Sequence, residues 1–207
     1  MSVSSGHSLG PAQFFRKELS KIFWFCLIGF LLCFFAVFLV FYFQPELSQN
    51  LMNELSEMFA SKNIYTSTGG ISFLSLFFNN ARASLLMTAV GLLPFLFLPG
   101  WILAFNAAIV GIAAGASLNI GLSPASLTMG LLPHGIFEIP ALCLAAALGI
   151  YLCKELVKKL IGRSELSSFG GVFLSILRFF LCVVLPLLLV AALMEAFVTP
   201  LLMELTL

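Results

Sequence analysis

The sequence predicts an all-α fold, a polytopic transmembrane helix bundle of about five spans. Three observations predict it. Hydrophobic residues fill 61% of the 207 positions, charged residues fill only 9%, and Asp is absent. A soluble domain carries about 25% charged residues, so this chain has too few charges to wet a surface of its size. The 23 Phe suit a surface facing lipid. Long apolar runs also alternate with short polar or basic segments. The length fits one domain. The net charge of +1 creates no basic field, so no nucleic-acid partner is expected.

The elements follow in chain order. Residues 1–13 read as a flexible polar tail, and 14–207 as a single integral membrane domain. Arg16, Lys17 and Lys21 precede the first span, 22–43, which holds no charged residue. About 20 apolar residues cross about 30 Å of hydrocarbon. The run is too long for a secretory h-region and lacks a small-residue cleavage site, which predicts a retained helix.

Pro45 can open a helix at its first position. Leu47, Leu51, Leu55, Met58 and Phe59 then recur at helical spacing, with Glu46, Asn50, Asn53, Glu54 and Glu57 on other faces. This predicts an amphipathic helix over 45–59, lying on the membrane surface. The second span is 73–98 and the third 101–119. Gly111 and Gly115, four apart, offer a small-residue face for close helix approach. The fourth span, 127–153, is expected to be interrupted at Pro133, Gly135 and Pro140. Lys154, Lys158, Lys159 and Arg163 follow in an expected basic loop. The last span is 171–200, with Pro186 as an expected kink. Cys26, Cys33, Cys143, Cys153 and Cys182 lie in or beside apolar runs and read as small buried hydrophobes.

Orientation follows from Lys and Arg in short loops. Two basic clusters, before the first span and after the fourth, fall on one side of a five-span protein. That side is expected to be the cytoplasm. The N-terminus is then cytoplasmic, and the C-terminus and the amphipathic helix extracytoplasmic.

Polar groups inside a membrane are expensive and default to a functional hypothesis. His134 and Glu138 are four apart and share a helix face. With Asn79, Asn80, Arg82, Asn106 and Arg178 they form a candidate buried polar cluster. In the structural reading Glu138 pairs with Arg82 or Arg178, and His134 bonds Asn79, Asn80 or Asn106. In the functional reading the His/Glu pair binds a metal, relays a proton or serves transport. Arg178 and Glu195 are 17 residues apart in one span, about 25 Å along a helix, and cannot meet. Glu195 has no evident partner on its own helix. With two His and no Asp, zinc lacks its usual ligands, and neither H-E-x-x-H nor G-x-S-x-G occurs. No catalytic residue, cofactor or metal is expected. Gly91-Leu92-Leu93-Pro94 recurs as Gly130-Leu131-Leu132-Pro133, and paired breaks of this kind can mark a transporter's site.

The stretch from Phe77 to Arg82 with its Asn pair, the turn at Pro99-Gly100, and Asn106 to Gly115 resemble the stage II sporulation protein M family. The run Leu132-Pro133-His134-Gly135-Ile136-Phe137-Glu138-Ile139-Pro140-Ala141 is the most specific part of that resemblance. Ala107 stands where the family usually has Gly. The resemblance implies about five spans, no cofactor and no established enzymatic activity. The founding member anchors and localises two peptidoglycan-degrading partners during engulfment of the forespore. The function implied is a membrane scaffold for wall-remodelling or other membrane partners. The alternative is a small transporter or channel subunit using His134 and Glu138. A homodimer within the lipid bilayer is expected.

Overall fold

The computed structural model describes residues 10–46, 72–94, 96–162 and 169–205. The amphipathic helix expected at 45–59 lies almost wholly outside them. Among the described residues the chain forms helices and turns. These are α1 (Pro11–Phe43), α2 (Phe73–Ala89), α3 (Leu98–Asn119), α4 (Pro124–Leu160) and α5 (Gly170–Glu204). Four of them, α1, α3, α4 and α5, are long and apolar enough to cross a membrane. The bundle expected from composition is therefore present.

The second expected span is the exception. Its helix ends at Ala89, a 3-10 turn covers Val90–Leu92, and the chain turns before α3. The 17 residues of α2 span about 25 Å, short of the roughly 30 Å of hydrocarbon. Leu93, Pro94, Leu96 and Phe97 sit in a run that looks like helix in a hydropathy reading but lie in the connection. Phe97 there adopts a left-handed backbone with φ 47°, and Pro99 sits at the start of α3, where its missing N–H costs no bond.

The expected interruption of the fourth span is corrected. α4 runs unbroken through Pro133 and Pro140 for 37 residues. The prolines lie seven apart, two turns, so both missing bonds fall on one side of the helix. They leave the carbonyls of Met129 and Ile136 without their usual donors, and both of those residues are exposed. Lys154, Lys158 and Lys159 are accordingly on the last turns of α4, not in a loop, and Lys158 Nζ pairs with Glu155 Oε1 at 2.6 Å. The repeated Gly-Leu-Leu-Pro takes two backbones, a 3-10 turn at Gly91 and α-helix at Gly130.

α4 is the central post. Residues 141–149 are buried on every face. A helix surrounded by neighbours needs small side chains so that backbones can approach, and Ala141, Ala145, Ala146, Ala147 and Gly149 supply them. Gly149 and Gly91 touch so closely that a Cβ on Gly91 would lie 2.1 Å from the Gly149 carbonyl oxygen. Thr88 Oγ1 donates across the same contact to the Ala145 carbonyl at 3.1 Å.

α1 and α3 run parallel. The expected small-residue face works within the chain. A Cβ on Gly111 would meet the Phe34 carbonyl at 2.7 Å, and one on Gly115 the Phe38 carbonyl at 2.7 Å. Cys33 Sγ donates to Ala104 O, and Asn119 Nδ2 to Phe41 O. Helix α1 begins at Pro11, inside the expected tail. Phe14 explains why: it is 2% exposed and packs edge-on against Tyr151 and Phe179.

α5 packs antiparallel to α4 and contains two π-helical turns, Phe180–Val184 and Met194–Val198. Each lies just ahead of a proline, Pro186 or Pro200. A proline ring collides with the carbonyl four residues back, and a wider turn relieves that collision. The kink expected at Pro186 takes this form.

Candidate functional site

The antiparallel α4–α5 pair sets matching residues opposite one another every turn. Gly130 faces Met203, whose sulfur would lie 3.4 Å from an added Cβ. One turn on, His134 Nδ1 lies 3.5 Å from Thr199 Oγ1. One turn further, Glu138 reaches the level of Glu195. One ligand atom each from His134, Glu138 and Glu195 lies within 4.8 Å of the other two, and all three side chains are half-buried.

Local structure explains the convergence. His134 and Glu138, at i and i+4, sit one above the other on α4. Glu195 belongs to the π turn Met194–Val198. A π turn adds a residue to the circuit and rotates the side chains that follow it; such turns are frequent at functional sites.

The same His134 and Glu138 line a groove of about 630 Å³ between α1, α3 and α4. Leu27, Phe30, Leu31 and Phe34 of α1 and Val110 and Ala114 of α3 form its other walls. Apart from Thr128, His134 and Glu138 the groove is lined by apolar residues and Gly135. The cluster thus stands between an apolar groove on one side and α5 on the other.

The other expected members lie elsewhere. Asn79 Nδ2 donates to its neighbour Asn80 Oδ1 at 3.3 Å. Asn106 Nδ2 donates to Ile102 O of its own helix at 2.8 Å. His134 therefore takes Thr199 rather than any of these Asn. Arg82 and Arg178 are both exposed. Among the described residues Glu138 forms an ion pair with neither. Arg178 is about 25 Å from Glu195 along α5, which puts it far from Glu138 as well. Glu195, an ionisable candidate for which its own helix offers no partner, is the residue that completes the cluster. The available signal was its distance in the chain from the α4–α5 connection, which is close to that of Glu138.

Neither a curated protein nor a solved structure matches this chain. The family described as SpoIIM, stage II sporulation protein M, matches residues 13–200. That span runs from within α1 to the π turn of α5 and just past it, and so contains every member of the cluster. The chain belongs to the stage II sporulation protein M family.

Proposed function

We propose that the chain is a scaffold in the cell membrane that anchors or localises partner proteins, in a spore-former those of a peptidoglycan-remodelling complex during engulfment. The observation that carries this reading is Arg82. It lies at the middle of the short helix α2, exposed, and has no partner among the described residues. A guanidinium in hydrocarbon is costly. A protein surface covering Arg82, from a partner or from a second copy in a homodimer, removes that cost. The basic clusters support a cytoplasmic N-terminus and an extracytoplasmic C-terminus. The reading involves no catalytic step.

The test is affinity capture of the tagged chain from its own membranes, wild type beside Arg82→Leu. The reading predicts that R82L loses its co-purifying partner or its self-association while keeping its melting temperature. An unchanged set of captured proteins and an unchanged oligomeric state contradict it.

A second reading, a small transporter or channel subunit, is favoured by one observation: His134 and Glu138 face a groove of about 630 Å³. It predicts solute flux in liposomes that Glu138→Gln abolishes. Flux indifferent to E138Q counts against it.

A further inference from the structure

The geometry points to a divalent transition-metal site formed by His134, Glu138 and Glu195 between α4 and α5. It stands apart from both readings above, since a scaffold and a transporter could each hold such an ion.

Three independent features lead to it. The first is the donor set. One imidazole nitrogen and two carboxylate oxygens lie within 4.8 Å of one another. Ligands about 2.0–2.2 Å from a common ion stand some 3–4 Å apart, so small side-chain rotations close the triangle. Imidazole with carboxylates suits Zn²⁺ or Mn²⁺ better than the all-oxygen cations.

The second is charge. Two carboxylates at this separation repel strongly where lipid and protein exclude water. Among the described residues no Lys or Arg is bonded to either of them. No described Lys or Arg therefore supplies a balancing positive charge. An ion between them supplies it and uses the His nitrogen as well.

The third is the support around the His. Thr199 is 6% exposed and holds its hydroxyl 3.5 Å from His134 Nδ1. A second partner of this kind fixes the ring of a ligating imidazole and leaves the opposite nitrogen, Nε2, for the ion. The π turn that presents Glu195 ends immediately before Thr199. One local distortion thus positions both the third ligand and the group that orients the first. Three protein ligands leave at least one coordination position open, and the groove lined by His134 and Glu138 offers a route to it.

The experiment uses the full chain purified in detergent or nanodiscs and stripped with chelator. Mn²⁺ is titrated and followed by electron paramagnetic resonance, and Zn²⁺ uptake is measured by equilibrium dialysis with elemental analysis. The site predicts one ion per chain. It predicts at least about tenfold weaker binding in each of His134→Gln, Glu138→Gln and Glu195→Gln, the lower end of what even a supporting residue costs a metal site. Glu155→Gln, which removes the partner of Lys158, leaves binding unchanged. The bound Mn²⁺ spectrum shows coupling to an imidazole nitrogen. That last reading is made on the wild type, so it stands even where a variant does not fold. Uptake well below one ion per chain, a bound spectrum without nitrogen coupling, or a folded E195Q that binds like wild type overturns the proposal.

Discussion

Replacing Gly91 by Ala perturbs the tightest contact made by any of the described glycines. The added methyl would stand 2.1 Å from the carbonyl oxygen of Gly149 and 2.8 Å from its carbonyl carbon, where ordinary contact begins at 3.4 Å. The clash is therefore about 1.3 Å deep. It is made with the backbone of the central helix, which cannot rotate aside as a side chain can. The end of α2 and the middle of α4 must separate by about an ångström. That movement pulls Thr88 Oγ1 away from Ala145 O, now 3.1 Å distant. Overpacking of this kind costs about 1–3 kcal/mol, and a lost interhelical bond in a membrane protein about 0.6 kcal/mol. The better helix propensity of Ala returns at most about 1 kcal/mol. The net expectation is a loss of about 1–3 kcal/mol. The assay is reversible unfolding in mixed micelles, wild type beside G91A and Gly29→Ala. Gly29 is exposed on α1 with nothing within 4 Å of an added Cβ, so G29A should be neutral or slightly stabilising. If G91A unfolds with G29A, the tight α2–α4 crossing is wrong.

Three further outcomes follow from the packing. Ser84 Oγ is buried without a hydrogen-bond partner among the described residues; Ser84→Ala removes an unmet polar group and should stabilise by about 1 kcal/mol in the same unfolding assay. Thr88→Val keeps the shape of the side chain but deletes the donor shared by Ser84 O and Ala145 O, and should cost about 1 kcal/mol. Phe14→Ala empties the space between Tyr151 and Phe179 and should cost about 3 kcal/mol, with faster proteolysis of the N-terminal segment as a second readout.

Much of the bundle was legible because helical membrane proteins advertise their spans by composition and their crossings by small residues. Gly111 and Gly115 were read as a close-approach face, and α1 is the helix they approach. The length of α2 was not legible. Residues 93–98 are as apolar as any span, and hydropathy does not separate a helix end from an apolar turn. Pro133 and Pro140 misled in the opposite direction. A proline in a sequence reads as a break, yet in α4 the two missing bonds fall on one side and the neighbouring turns hold the helix continuous.

The candidate site was half legible. His134 and Glu138 stood out because their spacing of four is a helix repeat. Glu195 did not, because its role depends on two things no periodicity records. One is the antiparallel register that sets 130, 134 and 138 opposite 203, 199 and 195. The other is a π turn that aims it inward. The arginines invited pairing with Glu138 by charge alone, but the fold leaves both exposed.

The convergence of α4 and α5 at His134 and Glu195 underlies the site and the register of the bundle alike. It is tested most directly by cysteine cross-linking in native membranes. The five natural cysteines are replaced by Ala, His134→Cys is paired with Glu195→Cys, and a short bifunctional thiol reagent is applied. An efficient intramolecular cross-link is expected for this pair and none for His134→Cys with Arg178→Cys. Equal yields for the two pairs, or no cross-link between positions 134 and 195, would contradict it.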